Sequence, residues 1–429
     1  MRLAARSLLK WKAPDDRAEM LENLLADYPK RDFQVRLWDG FTWGTESHPR
    51  FVLALKNPRA LRAMWLSPSE LSLGESYVRG DFEIEGDIEA AFDLADRLLQ
   101  GGPSAGKHGA LLQRLIQLAV PGPEPVLALP KRSGALHSRE RDRQAVTYHY
   151  DLPSEFYALW LDAHMVYSCA YFRTTDQDLD TAQQHKLEYL CKKLRLRCDD
   201  RLLDIGCGWG SLVLHAAAAH GVRALGITLS EPQAEWAQQK IKALGMDDRC
   251  RVEVCDYRNL DTREPYDKIV SVGMFEHVGE SKLPGYFQRA WQLLRPGGVF
   301  LNHGISHSAT YQRRGPSFID RYVFPDGELV PISTTLRAAE QSGFEVRDVE
   351  SLREHYAFTL QKWLARLENR AEEARRIVGD TTYRIYRIYL AGSAHAFLRG
   401  RLNLHQALLV KPLRGESGLP FTREDWYRL

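Results

Sequence analysis

The sequence predicts an α/β protein, with a parallel sheet flanked by helices on both faces that follows a smaller α+β domain. Strands and helices alternate from Arg201 onward, which is typical of βαβ units. Short strand-like runs mix with amphipathic helical runs in the first hundred residues. Glycine and proline separate the two regions at residues 101–109 and 121–134. We therefore expect domains at 1–105 and 141–429 and a linker at 106–140.

Composition and charge narrow the class of protein. A chain of 429 residues with 44% hydrophobic and 27% charged residues is typical of two or three globular domains. The net charge of +2 gives no overall field for nucleic acid, and no run of eighteen apolar residues occurs. The six cysteines form no CxxC pair, which favours reduced thiols in a cytoplasmic protein. No His/Cys/Asp cluster has metal-ligand spacing, so we expect no metal.

The N-terminal region carries the signals of a small sheet with helices against it. Asp39-Gly40 predicts a hairpin turn between two short strands, and residues 51–57 predict a third. Residues 88–100 have the pattern of an amphipathic helix. The first sixteen residues and residues 108–122 also read as amphipathic segments.

The C-terminal region supplies seven strand candidates. Five of them alternate with helices, and two more follow near the end of the chain: residues 201–206, 223–229, 251–256, 267–273, 298–305, 345–352 and 406–412. Gly221 is placed to end the first of the intervening helices, and Pro232 to begin the second. A long helical stretch over 355–402 separates the last two strands, and we expect it to build a substrate pocket.

The turn after the first of these strands is the strongest functional signal. Gly206, Gly208 and Gly210 allow backbone N–H groups to approach a ligand closely, and Asp204 stands just before them. The second strand ends at Thr228, where a dinucleotide dehydrogenase would usually carry Asp or Glu. This difference favours S-adenosylmethionine over NAD. Further polar candidates around the cofactor are Ser230, Gln233, Asp256 and Tyr257.

Over residues 140–412 the chain resembles the cyclopropane-fatty-acyl-phospholipid synthase family, which includes the mycolic acid cyclopropane synthases and related C-methyltransferases. The strings that carry the resemblance occur in order: HYDLPSEFYALWLD, YSCAYF, LDIGCGWG, GITLS, SVGMFEHVG and LRPGG. The segment that starts LGESYVRGDF at Leu73 resembles the N-terminal lipid-binding domain of the bacterial phospholipid enzymes. The resemblance implies a seven-stranded Rossmann-like methyltransferase domain with helical insertions and an N-terminal lipid-binding domain.

The resemblance also implies two sets of site residues. The cofactor set adds Tyr167 and Ser168 to the glycine turn, Thr228, Gln233, Asp256 and Tyr257. The second set is implied to hold a bicarbonate ion that acts as the base: Cys169, Glu276, His303, Ile305 through its backbone, and Tyr356. Some family members are credited with a catalytic cysteine before the last strand, where this chain has Ser393, which strengthens the bicarbonate interpretation.

The implied reaction transfers a methylene from S-adenosylmethionine to the cis double bond of an unsaturated membrane phospholipid, through a carbocation that bicarbonate deprotonates to close a cyclopropane ring. Two alternatives stay open: a methyltransferase that leaves a methyl branch or a methylated amine, and a non-catalytic lipid-binding protein. We expect a cytoplasmic homodimer bound peripherally to the inner face of the membrane, with no nucleic-acid partner. Residues 108–122, Trp38, Trp43 and Trp65 are candidates for the bilayer surface, although at least two of these tryptophans are expected in the core.

Overall fold

The computed structural model describes residues 15–427 except 26, 27, 29, 31, 46, 67, 101–125, 128–131, 151 and 312–316. The predicted N-terminal amphipathic segment, apart from its last two residues, and the segment at 108–122 lie outside the described residues. So does most of the predicted linker.

The helices, in chain order, are α1 (Asp15–Leu24), α2 (Arg59–Trp65), α3 (Glu70–Val78), α4 (Ile88–Gln100), α5 (Arg139–Tyr150), α6 (Ser154–Ala158), α7 (Leu179–Leu194), α8 (Ser211–His220), α9 (Glu231–Ala243), α10 (Leu283–Leu293), α11 (Phe318–Tyr322), α12 (Ile332–Gln341), α13 (Arg353–Asn369), α14 (Ala371–Leu398) and α15 (Glu424–Tyr427). The strands are β1 (Gln34–Arg36), β2 (Thr42–Gly44), β3 (Phe51–Leu55), β4 (Phe82–Gly86), β5 (Arg201–Ile205), β6 (Arg223–Thr228), β7 (Cys250–Val254), β8 (Tyr266–Val272), β9 (Leu294–His307), β10 (Glu345–Ser351) and β11 (Leu402–Val410).

These elements form two compact units. The first comprises the described residues of Met1–Pro130, Arg313–Val323 and Gly379–His395, and the second those of Lys131–Gln312, Phe324–Val378 and Ala396–Leu429. Helix α14 is interrupted at Gly379, whose φ of 80° and ψ of 163° are not helical. Glycine tolerates this conformation because it has no Cβ.

The first unit contains a four-stranded sheet in the order β2-β1-β3-β4. The predicted hairpin at Asp39-Gly40 is confirmed, because β1 and β2 pair antiparallel and Gly40 has a φ of 90°. Residues 379–395 of α14 belong to the first unit because two arginines bond to Tyr77. Arg384 Nη2 donates to the carbonyl of Tyr77 at 2.7 Å, and Arg387 Nη1 donates to its hydroxyl at 2.7 Å.

The prediction that at least two of the three tryptophans lie in the core is wrong. Trp65 is buried, whereas Trp38 and Trp43 are only half-buried. Trp43 lies on β2, which is an edge strand. Its ring packs edge-on against that of Phe33, with 6.2 Å between the ring centroids. An edge strand has a neighbour on one side only, so its side chains keep more contact with water.

The second unit contains the predicted seven-stranded sheet, in the order β10-β11-β9-β8-β5-β6-β7. Strand β11 pairs antiparallel with both of its neighbours, and the pairs from β9 to β7 are parallel. Two apolar layers cover the faces, as predicted. One includes Leu190, Leu212 and Ile241 from α7, α8 and α9, and the other includes Phe287 and Ala339 from α10 and α12.

Local signals explain where these elements begin and end. The Asp178 side chain accepts from the Thr181 amide and starts α7, and Ser230 does the same for Gln233 at the start of α9. Gly221, with a φ of 65°, ends α8 as predicted. The long helical stretch expected between the last two strands is formed by α13 and α14. Among the described residues, no helix combines the length and the apolar character needed to cross a bilayer.

Candidate active site

A cavity of about 500 Å³ lies in the second unit, at the carboxyl ends of β5, β6 and β8. Parallel strands place their carboxyl ends at one edge of the sheet, so residues distant in sequence meet there. Nine of the eleven predicted cofactor residues line this cavity: Tyr167, Ser168, Asp204, Gly206, Gly208, Thr228, Gln233, Asp256 and Tyr257. The exceptions are Gly210 and Ser230, which cap the N-terminal ends of α8 and α9. A Cβ built at Gly210 would lie 3.0 Å from the Cβ of Ala237, so the turn packs closely against α9 there.

The glycine turn brings backbone to the cavity wall. Gly206 has a φ of 84°, and its amide donates to the carbonyl of Ile227 at 2.9 Å. A Cβ at Gly206 would lie 2.6 Å from the Cβ of Met274, closer than real side chains approach. The turn therefore requires glycine both for its backbone angle and for space.

Asp204 is a buried acidic residue of the cavity lining. Its side chain is buried, and no hydrogen bond from the described residues reaches Oδ1. Burial raises the pKa of Asp204 to about 7, against the opposing effect of the Lys186 charge. A buried carboxylate oxygen that faces a cavity without a protein partner is suited to bind a ligand amine.

Lys186 is a cavity residue that the sequence reasoning missed. Its Nζ donates to the hydroxyl of Ser168 at 2.9 Å, and Gln183 Nε2 donates to the Ser168 carbonyl at 2.8 Å. Burial lowers the pKa of Lys186 to about 8, partly offset by the nearby carboxylates of Asp162 and Asp204. Helical periodicity could have identified it, because Lys186 follows Leu179 and Ala182 on the buried face of α7.

Side chains at the ends of β6 and β7 are already paired with protein groups. Thr228 Oγ1 donates to Gln233 Oε1 at 2.8 Å, and both residues are buried. The Asp256 carboxylate accepts from the backbone amide of Arg258 at 2.9 Å and from its guanidinium, with the shortest contacts at 2.8 Å from Nε and 2.6 Å from Nη2. Burial raises the pKa of Asp256, but the bonds from Arg258 outweigh it and the pKa is lowered. Asp256 is therefore a carboxylate at neutral pH.

Aromatic rings surround Tyr167. The ring centroid of Tyr167 lies 5.2 Å from Trp160, 5.3 Å from Trp363 and 5.7 Å from His149. At the end of β7, burial raises the pKa of Tyr257 to about 12, which keeps its hydroxyl protonated. The aromatic segment before the glycine turn thus forms an apolar wall next to the cavity.

The second predicted set, Cys169, Glu276, His303, Ile305 and Tyr356, is not in the cavity lining that the described residues form. Glu276 Oε1 accepts from the Ile305 amide at 2.7 Å, so that amide is bonded to protein here. No donor in the described part of the chain reaches Glu276 Oε2. Burial raises the pKa of Glu276 to about 7.

His303 is the second residue of this set with a buried polar atom that has no partner among the described residues. It is 1% exposed, and its Nδ1 lies 3.1 Å from Gln406 Nε2. Burial lowers the pKa of His303 well below its ordinary value, so the ring is neutral. With the Gln406 amide in this orientation, its Nε2 donates to Nδ1 and the ring proton is on Nε2, for which the described residues offer no acceptor. Gln406, which sequence reasoning also missed, faces His303 directly across β11 and β9.

Backbone contacts connect Cys169 and Tyr356 to this region. Cys169 Sγ lies 3.9 Å from the carbonyl of Leu352, which also accepts from the Tyr356 amide at 3.1 Å. The Leu352 amide in turn donates to Leu404, the partner of Ile305 on β11. Burial raises the pKa of Cys169, so its thiol stays protonated. We refer to Cys169, Glu276, His303, Ile305 and Tyr356 as the buried polar cluster, because Cys169, His303 and Tyr356 are buried and the half-buried Glu276 has a buried Oε2 atom.

The seven-stranded sheet, the glycine turn and the cavity together define an S-adenosylmethionine-dependent methyltransferase. Residues 137–407 match the family described as mycolic acid cyclopropane synthetase, and residues 20–99 match a domain of unknown function. The chain belongs to the mycolic acid cyclopropane synthetase family.

Three similar proteins extend the comparison. A probable fatty acid methyltransferase of Pseudomonas putida is 43% identical over 92% of this chain and 96% of its own length. The cyclopropane-fatty-acyl-phospholipid synthase of Escherichia coli K12 is 32% identical over 86% of this chain and 90% of its own. The crystal structure of mycolic acid cyclopropane synthase CmaA1 complexed with SAH and CTAB matches 62% of this chain and 97% of its own, with 35% identity and a TM-score of 0.59.

Proposed function

We propose that the protein transfers a one-carbon unit from S-adenosylmethionine to the cis double bond of a phospholipid acyl chain and closes a cyclopropane ring. The observation that carries this proposal is the buried polar cluster, in which Glu276 Oε2 and His303 Nε2 are both buried without a partner among the described residues. Leaving such groups unpaired costs about 1–3 kcal/mol each. A role in chemistry at that position would account for the cost.

The residues of the cavity fit the cofactor. Asp204 offers an unpaired carboxylate oxygen for an amine, Tyr167 and Tyr257 offer ring surfaces, and the turn at Gly206 offers close backbone. When bound, S-adenosylmethionine supplies an electrophilic methyl group. Lys186 and Gln183 hold Ser168 in position at the cavity wall.

The buried polar cluster fits a small anion such as bicarbonate. His303 presents an Nε2–H donor, and Glu276 has a pKa of about 7, so its protonated form can present an O–H donor near neutral pH. Ring closure requires one proton to leave the added methyl group, and bicarbonate would supply the base. Fixed donors favour an anion in an apolar site because they need no reorganisation when charge changes.

A second candidate product is a methyl branch. The relative with 43% identity is named a probable fatty acid methyltransferase, and the same cavity would serve that reaction. The two functions differ in which proton the carbocation loses. Loss from the added methyl group closes the ring, whereas loss from a neighbouring carbon of the acyl chain leaves an open methyl branch beside a double bond.

We also propose that the lipid is met at a bilayer surface and that the first unit contributes to this contact. Burying an acyl chain from water gains about 0.8 kcal/mol per CH₂, but a chain that already lies in a bilayer gains almost none of this on entering a protein. The half-buried Trp38 and Trp43 support a role at such an interface.

The experiment uses methyl-labelled S-adenosylmethionine and vesicles of unsaturated phospholipid, with saturated phospholipid as the control. We expect label in cyclopropane rings with the unsaturated lipid and none with the saturated lipid. Label in an open branch would establish the second candidate instead. Bound cofactor without labelled lipid would overturn both.

A further inference from the structure

Helices α7 and α8 bring together four side chains of the types that bind zinc, outside the site described above. Glu188 and Cys191 lie three residues apart on α7, and His215 and His220 lie on α8. Glu188 Oε2 is 3.2 Å from His215 Nε2 and 3.1 Å from His220 Nε2. One donor atom from each of Cys191, His215 and His220 lies within 4.8 Å of the others.

These separations are close to those of a metal site. Zinc binds nitrogen and oxygen at about 2.0–2.1 Å and sulfur at about 2.3 Å in a tetrahedron, which puts neighbouring donor atoms about 3.3–3.6 Å apart. The two distances from Glu188 Oε2 to the histidine nitrogens, 3.2 Å and 3.1 Å, are slightly shorter than this separation. The donor atoms of Cys191, His215 and His220 lie within 4.8 Å of one another, and rotation of these side chains would bring them to the separation that a metal requires.

The charges of the four groups also suit a divalent cation. One thiolate and one carboxylate neutralise Zn²⁺, and two neutral imidazoles complete the coordination without adding charge. Cys191 is fully buried, whereas His215, His220 and Glu188 keep 19%, 20% and 30% of their side chains exposed. An ion can therefore reach the histidines from solvent, and the finished site would be closed by protein on its inner side.

We propose that Glu188, Cys191, His215 and His220 form a structural zinc site that joins α7 to α8. Four protein ligands leave no open position, which is the arrangement of structural sites. Helix α8 follows the glycine turn, and α7 carries Gln183 and Lys186, which hold Ser168. The ion would thus connect the two helices that support the cofactor cavity.

The expectation of no metal depended on spacing along the sequence. Cys191 and His215 lie on different helices, and the strand β5 and the glycine turn separate them in the chain. Only the packing of α7 on α8 brings them together. The competing explanation is an ion pair between Glu188 and the two imidazoles with no metal, and it predicts a different experimental result.

The test is a titration of the full chain, first stripped with a chelator, with Co²⁺ and then Zn²⁺. We expect one Co²⁺ per chain, the visible absorption bands of tetrahedral cobalt, a near-ultraviolet band from thiolate coordination, and displacement of cobalt by Zn²⁺. Zinc should also raise the melting temperature of the stripped protein, because it binds the folded state. The absence of stoichiometric binding would overturn the proposal in favour of the ion pair.

Variants locate the ion. The double substitution His215→Gln and His220→Gln affects partly exposed residues and should weaken binding by at least about a hundredfold. Cys191→Ser should remove the thiolate band. Cys250→Ser, which changes another buried cysteine, and His307→Gln are matched controls that should leave the spectrum unchanged. Circular dichroism and cofactor binding would verify folding of every variant, and unchanged cobalt binding in the folded double variant would contradict the proposal.

Discussion

The cofactor cavity and the buried polar cluster lie next to each other but differ in how many of their polar groups are paired within the protein. Glu276 and His277 are consecutive residues after β8; His277 lines the cavity, and Glu276 bonds to Ile305 in the cluster. Most polar groups of the cavity are paired within the protein, as in Thr228 with Gln233. In the cluster, Glu276 and His303 each keep one buried atom without a partner in the described chain.

This difference indicates different demands on the two regions. The cavity must hold a large ligand, and glycine backbone and aromatic rings can do so with few unpaired groups. The cluster is suited to a small charged group, because unpaired donors in an apolar environment interact strongly with charge. Substitutions that separate binding from turnover test this distinction.

The largest effect is expected for Glu276→Gln. The amide can still accept from Ile305 but cannot carry or exchange a proton, so turnover should fall by about 10²- to 10³-fold. Cofactor affinity should stay within about threefold of the parent, because Glu276 is not in the cavity lining formed by the described residues. Turnover with labelled cofactor and calorimetric cofactor binding check the two parts.

Glu280→Gln is the matched control, since Glu280 is exposed and only four residues away. It should leave turnover unchanged. If Glu276→Gln retained parental turnover, the cluster would have no part in the chemistry.

The next effect concerns the pH dependence of stability. Burial raises the pKa of Glu276 from an ordinary 4.5 to about 7, so the unfolded chain loses this proton at lower pH than the folded chain does. Ionisation of Glu276 therefore destabilises the fold as pH rises from about 5 to 8. The Glu276→Gln variant lacks this ionisation. Its free energy of unfolding, relative to that of the parent, should therefore increase by about 2–3 kcal/mol between pH 5 and pH 8.

Urea unfolding of both proteins at pH 5 and pH 8 measures the difference. The other titratable groups, including Asp204, are present in both proteins, so their contributions cancel in the difference between the two free energies of unfolding. Parallel stability curves would mean that Glu276 is hydrated rather than buried.

The smallest effect is expected in the cavity, for Asp204→Asn. Loss of the unpaired carboxylate should weaken cofactor binding by about tenfold, or roughly 1.4 kcal/mol, with turnover at saturating cofactor much less affected. Burial raises the pKa of Asp204 to about 7, so the affinity of the parent should decrease below neutral pH as Asp204 is protonated. The variant should lack this pH dependence.

Calorimetric titrations at pH 6 and pH 8 check this, with Asp247→Asn, an exposed carboxylate, as the control. An Asp204→Asn variant that binds as tightly as the parent would remove Asp204 from the cofactor site.

Much of the sheet and of the cavity was predictable because the signals are local. Alternating apolar runs predicted all seven strands, and Gly206 and Gly221 mark turns whose backbone angles need glycine. Roles assigned to the buried polar cluster came from resemblance and stay predictions. The expectation that at least two of Trp38, Trp43 and Trp65 lie in the core was wrong, because the sequence does not reveal which strand is at the edge of a sheet.

The sequence by itself determined the order of elements and the residues at the strand ends, since both depend on backbone preferences and on hydrophobic periodicity over a few neighbours. Only the tertiary structure decided which side chains meet: Lys186 with Ser168, Glu276 with the Ile305 amide, and Glu188 with His215 and His220. Each of these contacts joins separate elements, and its existence depends on how helices and strands pack. The packing of helices and strands therefore sets the hydrogen-bond partners, the burial and the pKa values of these groups. It also sets the difference between the cavity and the buried polar cluster.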